Sequence, residues 1–168
     1  MIHYSNLETP IGQFTLYAVE DGVVYISLPE SDPTVATNWC EKILGDTDVV
    51  ESDMWIVHAK AELNEYFAGQ RQSFECEYLL FTSPFRKKSL EAVRQIPYGE
   101  KQSYAQVANI AGNAHAVRAA GSANAKNPLP ILVPCHRVIS SNGSLGGYGG
   151  GQEMKQWLLD HEQTYCKS

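Results

Sequence analysis

Residues 103–126 read Ser-Tyr-Ala-Gln-Val-Ala-Asn-Ile-Ala-Gly-Asn-Ala-His-Ala-Val-Arg-Ala-Ala-Gly-Ser-Ala-Asn-Ala-Lys, and this stretch decides the fold of the second half of the chain. Ser103 and Gln106 have the spacing of a capping box, so a short helix is predicted to begin there and to end at Gly112. Residues from His115 to about Lys126 predict a second short helix. Two short helices joined by a turn that contains glycine are typical of a helix-turn-helix motif. Helical hairpins also occur in proteins that never bind DNA, so the motif alone does not establish DNA binding.

A further helix and a short strand are predicted on either side of this motif. Ser83 and Pro84 place an N-cap residue before a proline at the first helical position, which predicts a helix that runs to about Ile96. After the motif, prolines bracket the apolar residues 131–133, which predict a short strand that leads into Cys135-His-Arg. The second half is therefore predicted to be mostly helical.

The first half has the pattern of mixed α/β structure. Residues 11–28 predict a β-hairpin, because β-branched and aromatic residues flank an Asp-Gly turn. Two helices are predicted next, over Pro33–Leu44 and over Met54–Ala68, the second with Trp55 on its inward face. A further strand is predicted over Phe74–Phe81.

These patterns predict the fold class α/β, of the α+β kind, with two domains. The composition changes from acidic to basic around residues 73–83, which indicates a domain boundary there. We expect an N-terminal α/β domain over residues 1–80 and a mostly helical domain over residues 81–168.

The overall composition excludes several classes of protein. With 43% hydrophobic and 19% charged residues, the chain can bury a core. No apolar run approaches the roughly 20 residues of a membrane helix, and the first residues lack the features of a signal peptide. The four cysteines are too few and too irregularly spaced for a disulfide framework or a four-cysteine zinc site. We expect a cytoplasmic protein without a membrane span, a bound metal or a cofactor.

The net charge of −6 is the sum of two unlike halves. Residues 1–83 carry three basic and 14 acidic residues, a formal charge of −11, whereas residues 84–168 carry ten basic and five acidic residues, a formal charge of +5. The second half can therefore face phosphates, and the acidic first half would repel DNA.

The chemistry of the chain is concentrated at Cys135, His136 and Arg137. A thiol becomes a nucleophile when a neighbouring base or cation favours its thiolate, and both neighbours are present here. A buried, inert cysteine beside a hydrogen-bonded histidine is the alternative explanation for such a pair.

The surrounding sequence resembles a known family. Pro134-Cys-His-Arg-Val138 resembles the signature of the O6-alkylguanine-DNA alkyltransferases, also called methylated-DNA–protein-cysteine methyltransferases. The resemblance continues in order through Ile96-Pro-Tyr-Gly-Glu100, Ser103-Tyr104, Ala116-Val-Arg-Ala-Ala-Gly121, Asn127-Pro128, Gly147-Tyr148 and Lys155-Gln-Trp-Leu-Leu-Asp-His-Glu162. The first half resembles the family only in outline. The resemblance implies a ribonuclease-H-like first domain and a winged-helix-like second domain that carries the helix-turn-helix.

The resemblance also implies roles for four residues in catalysis. Cys135 would accept the alkyl group, because a thiolate is the best side-chain nucleophile for substitution at carbon. His136 would take the thiol proton through a water, with Glu162 holding the imidazole as in a catalytic triad. Tyr104 would donate to guanine N3 and neutralise the departing base. The alternative for Glu162 is an ordinary acid near the end of a helix, and the alternative for Tyr104 is a surface tyrosine.

Residues in and after the second helix of the motif are implied to bind DNA. Arg118 matches an arginine finger that replaces the extruded nucleotide, and its alternative is a phosphate contact. Ala116, Val117 and Gly121 leave the helix face small, which suits a minor groove. Asn127 would brace the cysteine loop through backbone hydrogen bonds, or would serve as a plain helix C-cap.

A glycine-rich loop is implied to line the substrate pocket. Six of the twelve residues 140–151 are glycine, so the backbone can approach a base closely, although a mobile surface turn has the same composition. Tyr148 and the backbone of Gly149 would line the pocket. The backbone carbonyls of Cys135 and Val138 would accept from the guanine amino group.

The resemblance thus implies DNA repair by direct reversal. The alkyl group of O6-alkylguanine would pass irreversibly and stoichiometrically to Cys135, with O4-alkylthymine as a further candidate substrate. The implied partner is double-stranded DNA, bound through its minor groove with the alkylated guanine flipped out, by a monomer in the cytoplasm or, in a eukaryote, the nucleus. No cofactor is implied.

Two other functions compete with this interpretation. A lesion sensor that binds alkylated DNA without repairing it lacks the cysteine of the motif, so Cys135 argues against that function. A cysteine hydrolase that uses Cys135 and His136 would need an oxyanion hole and would turn over many times.

Overall fold

The predicted hairpin is present and belongs to a four-stranded sheet. The computed structural model describes residues 1–166 and divides after Phe81 into two units. The first unit holds strands β1 (Ile2–Thr9), β2 (Gly12–Val19), β3 (Gly22–Ser27) and β4 (Val49–Glu51), in the order β3-β2-β1-β4. The three long strands are antiparallel, and β4 is parallel to β1.

Helix α1 (Pro33–Leu44) has the bounds that the sequence predicts. It begins at Asp32, whose side chain accepts a hydrogen bond of 2.9 Å from the Thr34 N–H, and it ends at Gly45, which has the left-handed φ of 69° that favours glycine. Its buried residues pack with Tyr17 of β2 on one face of the sheet.

Helix α2 (Val57–Phe67) covers the other face, where Phe67 contacts Phe14 of β2 with ring centroids 5.7 Å apart. The helix begins three residues later than predicted, and the assignment of Trp55 to its inward face is wrong. Trp55 has a φ of 66°, which a right-handed helix cannot include, and its side chain is 44% exposed.

The predicted strand over Phe74–Phe81 is also wrong, since this segment makes only one bridge, between Tyr78 and Val23 of β3. Two of its backbone donors have a side-chain partner. The buried carboxylate of Glu62, on α2, accepts hydrogen bonds of 2.9 Å and 2.7 Å from the backbone N–H groups of Glu75 and Cys76. A side chain therefore takes the place of a neighbouring strand.

The second unit is mostly helical, as predicted, which confirms the mixed fold class. Its elements are helix α3 (Pro84–Arg94), strand β5 (Gln102–Ser103), helices α4 (Tyr104–Ile110) and α5 (Val117–Ala125), a 3-10 turn (Cys135–Arg137), strand β6 (Val138–Ile139) and helix α6 (Gln152–Tyr165). Strands β5 and β6 form a small parallel pair. The described residues include no helix long and apolar enough to cross a membrane.

The capping box predicted at the start of α4 is present. The Ser103 hydroxyl accepts a 3.1 Å hydrogen bond from the Gln106 N–H, and the Gln106 side chain accepts one of 2.8 Å from the Ser103 N–H. At the start of α3, Ser83 is the N-cap residue, but its side chain makes no capping hydrogen bond.

The short strand predicted over residues 131–133 is replaced by a turn. Ile131 has a φ of 74°, outside the extended region, and the Val133 N–H donates back to the Leu129 carbonyl at 2.9 Å. The flanking prolines have no N–H group to donate to a strand ladder, which explains why the apolar pattern does not produce a strand.

We expect Glu62→Ala to lower the free energy of unfolding of the first unit by about 3 kcal/mol, because it leaves the buried Cys76 N–H and the part-buried Glu75 N–H unpaired and removes the ion pair of 2.9 Å with Arg71. The matched control is Glu65→Ala, whose half-exposed ion pair with Arg71 predicts a loss below about 1 kcal/mol. Urea denaturation measures both values. Equal losses in the two variants would contradict the role of Glu62.

Candidate active site

Cys135 begins the 3-10 turn that follows the proline-rich segment, and its side chain is buried, with 5% of its surface exposed. The turn is closed by hydrogen bonds of 2.8 Å from the Cys135 N–H to the Val133 carbonyl and of 3.0 Å from the Arg137 N–H to the Pro134 carbonyl. The cysteine is therefore held by short-range backbone contacts on both sides.

Glu162 of helix α6 is the centre of the hydrogen-bond network behind the cysteine. Its carboxylate is fully buried and lies 2.6 Å from His136 Nε2. It also accepts hydrogen bonds of 2.8 Å and 3.0 Å from Arg137 Nε and Nη2, and one of 3.1 Å from the Gly99 N–H. Four donors thus share one carboxylate, so sequence-distant parts of the second unit meet at this residue.

The protonation states of this network follow from burial and charge. Burial alone would raise the pKa of Glu162, but hydrogen bonds from His136 and Arg137 and the charge of Arg137 hold it well below its ordinary value. Burial lowers the pKa of His136, and the contact with Glu162 opposes this only in part, so the imidazole is neutral at pH 7. Since Nε2 faces the carboxylate, that nitrogen carries the proton and Nδ1 keeps its lone pair.

His136 Nδ1 is buried and has no hydrogen-bond partner within residues 1–166. Burial raises the pKa of the Cys135 thiol, with the Asn127 side chain and the charge of Lys155 acting in the opposite direction. The resting thiol is therefore protonated at neutral pH and needs a base. A neutral imidazole with an unused lone pair on the adjacent residue can serve as that base.

Arg137 is not the cation beside the thiol that the sequence predicts. Its guanidinium is committed to Glu162 and to the Ile96 carbonyl, which accepts from Nη1 at 2.7 Å. Its Cζ atom also lies 5.6 Å from the centroid of the Tyr98 ring. The cation that favours the thiolate is instead Lys155.

Sequence reasoning missed the role of Lys155, which lies at the start of α6 and is fully buried. Its Nζ donates hydrogen bonds to the backbone carbonyls of Val138 at 2.6 Å, of Gly147 at 3.3 Å and of Leu145. The ammonium group thus links β6, which precedes the glycine-rich loop, to the middle of that loop. The seven-residue spacing between Lys155 and Glu162 puts both on one helix face and was the available signal.

The glycine-rich loop carries two of the predicted pocket residues. Tyr148 is half-buried, and its hydroxyl is buried without a hydrogen-bond partner in the described part of the chain, whereas Gly149 is exposed. Gly146 approaches the ring of Tyr104 so closely that an added Cβ would lie 3.0 Å from the hydroxyl oxygen, and its φ of 74° also favours glycine. A larger residue there would displace Tyr104.

The residues predicted to contact DNA fall into two groups. Arg118 and Val117 are exposed on α5, and Ala116 and Gly121 are half-buried beside them. Asn127 lies behind the cysteine, where its side chain donates to the Val133 carbonyl at 2.9 Å and accepts from the Leu129 N–H at 3.0 Å. Its amide thus braces the turn before Cys135. No group of three His, Cys, Asp or Glu residues that could hold a metal ion occurs among the residues described.

We expect Glu162→Gln to lower the free energy of unfolding at pH 7 by about 3 kcal/mol, because the variant breaks a buried ion pair. The depressed pKa of Glu162 contributes stability above the ordinary value of 4.5, and this contribution is lost as the pH falls towards the folded-state pKa. The difference between wild type and variant should therefore narrow below pH 4.5.

Denaturant unfolding at pH 7 and at pH 3.5 measures this narrowing. Asp160→Asn, at an exposed position of the same helix, is the control and should change stability by no more than about 0.5 kcal/mol. A loss for Glu162→Gln that is the same at both pH values would show that the carboxylate charge is not what stabilises the network.

Comparisons with known proteins cover the whole chain. The sequence family described as the ribonuclease-like domain of 6-O-methylguanine DNA methyltransferase matches residues 2–81, and the family described as its DNA binding domain matches residues 84–164. The constitutive methylated-DNA–protein-cysteine methyltransferase of Bacillus subtilis is 40% identical over 168 residues, with 99% of each chain covered. The corresponding protein of Methanosarcina acetivorans is 37% identical, with 96% of this chain and 98% of that protein covered.

A solved structure agrees with these sequence matches. The crystal structure of Mycobacterium tuberculosis OGT in complex with DNA superposes with a TM-score of 0.85 at 34% identity, covering 99% of this chain and 96% of that chain. The resemblance carried by Pro134-Cys-His-Arg-Val138 is thereby confirmed along the full length of the sequence. This chain belongs to the methylated-DNA–protein-cysteine methyltransferase family.

Proposed function

We propose that this protein repairs O6-alkylguanine in DNA by transferring the alkyl group irreversibly to Cys135. The observation that carries the proposal is the buried thiol of Cys135, followed in the chain by His136, whose Nε2 atom lies 2.6 Å from the buried carboxylate of Glu162. This arrangement provides a nucleophile and a base in a site shielded from water, and the family relationship identifies the reaction.

The chemical step is a substitution at the alkyl carbon. His136 Nδ1 takes the thiol proton through a water, and the Cys135 thiolate attacks the carbon as its bond to guanine O6 breaks. The electron pair of that bond leaves with the base, and O6 becomes the carbonyl oxygen of guanine. The thioether has no leaving group of comparable quality, so each protein molecule reacts once.

The proposed pocket both activates the leaving base and recognises it. The Tyr104 hydroxyl donates to guanine N3 and offsets the negative charge that develops on the ring. The carbonyls of Cys135 and Val138 accept from the amino group, and Tyr148 with the backbone of Gly149 lines the pocket. The Val138 carbonyl already accepts from Lys155 Nζ at 2.6 Å, and a carbonyl oxygen has a second lone pair for the amino group.

Helix α5 makes the contact with DNA. The alkyl group lies inside the base stack, so the nucleotide has to be flipped out to reach a buried thiol. Arg118, exposed on α5, replaces it, and the small side chains of Ala116, Val117 and Gly121 allow the helix to approach a minor groove. Asn127 holds the cysteine turn behind this helix. A relative of the same fold was solved in complex with DNA.

We also propose the domain organisation, the oligomeric state and the cellular compartment of the protein. The α/β domain over residues 1–80 supports a DNA-binding and alkyl-acceptor domain over residues 81–168, and the protein acts as a monomer. It works without a metal or cofactor, because the side chains of the site supply the nucleophile, base and acid. A reducing compartment such as the cytoplasm, or the nucleus in a eukaryote, suits it because the four cysteines are free thiols.

The first test is intact mass after incubation with an excess of duplex DNA that carries one O6-methylguanine. We expect the mass of one methyl group on the Cys135 peptide and no second addition. Cys135→Ala should gain no mass, whereas Cys166→Ala, which removes an exposed thiol, should react like the wild type. Tight binding of the alkylated duplex without a mass change would instead indicate a lesion sensor, and multiple product molecules per protein would indicate a hydrolase.

The finger role of Arg118 is tested by comparing two substrates. Arg118→Ala should slow transfer from duplex DNA at least about tenfold, because flipping costs a few kcal/mol, and should leave transfer from free O6-methylguanine unchanged. Lys126→Ala removes a positive charge just after the same helix and is the matched control. If both variants lose the same amount on duplex DNA, Arg118 acts as a phosphate contact alone.

A further inference from the structure

The first two turns of helix α3 carry a run of three positive charges, Arg86, Lys87 and Lys88. Lys87 and Lys88 are exposed, and Arg86 is half-buried. None of the three makes an ion pair with the residues that the structure describes. The proposed function assigns them no role. We call these three residues the α3 basic cluster.

The first unit arranges its cations differently. Lys60 lies 3.2 Å from Asp53, and Arg71 lies 2.9 Å from the buried Glu62, so these charges are neutralised within the fold. The single acidic residue of α3, Glu91, is exposed and makes no ion pair with the cluster. Adjacent charges of one sign repel each other, and a negatively charged partner relieves that repulsion. The α3 basic cluster therefore presents uncompensated positive charge to a partner.

The position of the α3 basic cluster relative to Arg118 follows from where two helices end. Just after α3, the Ile96 carbonyl accepts a hydrogen bond of 2.7 Å from Arg137 Nη1. Near the end of α5, Asn124 Nδ2 donates a hydrogen bond of 3.1 Å to the Cys135 carbonyl. Both helices thus end at the same 3-10 turn, and they also pack against each other. Their first turns, which carry the cluster and Arg118, therefore lie on the same side of that turn.

This placement suits contact with the phosphates of a duplex. The axes of packed helices are about 8–10 Å apart. A minor groove is about 6 Å wide and has a sugar-phosphate strand along each side. A helix packed beside α5 therefore lies next to the bordering phosphates when α5 faces the groove. Lysine suits such a contact, because its ammonium group is a point charge on a flexible side chain.

We propose that the α3 basic cluster binds the phosphate backbone beside the minor groove that α5 enters, with Lys87 and Lys88 each neutralising one phosphate. A chain with a net charge of −6 thereby presents a local positive surface to DNA. Phosphate contacts carry no sequence information, so the cluster holds any duplex while the protein searches for a lesion. The inference rests on the proposed function, because it takes duplex DNA at α5 as the partner.

The test measures the affinity for an unmodified duplex at several salt concentrations between about 50 and 200 mM. Each phosphate contact contributes about 0.9 to the magnitude of the slope of log affinity against log salt concentration. We therefore expect the slope to be shallower by about 0.9 in Lys87→Gln and by about 1.8 in Lys87→Gln/Lys88→Gln. At about 100 mM salt the double variant should bind at least about tenfold more weakly than the wild type.

Three controls isolate the charge of the cluster. Lys42→Gln, which removes an exposed lysine of α1, should leave the slope unchanged. Lys87→Arg/Lys88→Arg keeps both charges and should keep the slope of the wild type. Transfer of the methyl group from free O6-methylguanine, which has no phosphate, should be equal in the wild type and in every variant.

The salt dependence decides the inference. Equal slopes in the wild type and the double glutamine variant would overturn it. So would an equal loss of duplex binding and of transfer from the free base, because such a loss reports damage to the fold. Sedimentation velocity without DNA tests another partner. Association of the wild type at low salt that the double variant abolishes would assign the cluster to the acidic first unit of a second copy and overturn the inference.

The proposed function is tested by a different measurement. A wild type that binds the duplex with the expected salt dependence, but transfers no methyl group, would refute the transfer reaction and would support the phosphate contact. A wild type that transfers the methyl group, with a slope that the double variant does not change, would refute the phosphate contact alone.

Discussion

The structure of the second unit depends on the hydrogen bonds and the positive charge that stabilise the buried carboxylate of Glu162. An ionised carboxylate without partners in a protein interior costs several kcal/mol, and Glu162 avoids that cost only by accepting from His136, Arg137 and the Gly99 N–H together. These donors come from the cysteine turn and from the turn after α3. The hydrogen bonds to Glu162 therefore hold helix α6, the proposed catalytic base His136 and the backbone at Gly99 together. Both the fold of the second unit and the proposed reactivity of Cys135 therefore depend on the hydrogen bonds to Glu162.

The parts of the fold that the sequence predicts well are those decided by local signals. Helix α1 has both of its predicted ends because an Asp side chain caps its start and a glycine in a left-handed conformation ends it. Residues 74–81 have a strand-like composition, but the N–H groups of Glu75 and Cys76 bind the carboxylate of Glu62 on α2. Residues 131–133 also look like a strand, and one positive φ at Ile131 prevents it. The pattern of hydrophobic residues predicts neither the side-chain partner of a backbone N–H group nor the φ of a single residue.

The candidate site shows the same division. The motif and the resemblance singled out Cys135, His136 and Glu162, and the structure brings the last two within 2.6 Å. Lys155 was missed because lysine is ordinarily exposed, so its burial cannot be read from residue type. Its ammonium group donates to backbone carbonyls of β6 and of the glycine-rich loop. Contacts to backbone atoms leave no recognisable residue pattern in the sequence, whereas Pro134-Cys-His-Arg is such a pattern.

Because the buried carboxylate of Glu162 needs its four donors, it also limits which substitutions this sequence can accept. Loss of Arg137 or His136 would leave the buried charge undercompensated, so these positions are expected to change only together with Glu162. One of the four donors, the Gly99 N–H, belongs to the backbone rather than to a side chain. Gly99 has a φ of 81°, and an added Cβ would lie 2.7 Å from Cys166 Sγ, so this donor depends on the absence of a side chain. Neutral variation in the second unit is therefore expected to accumulate outside this network, on the exposed face of α6.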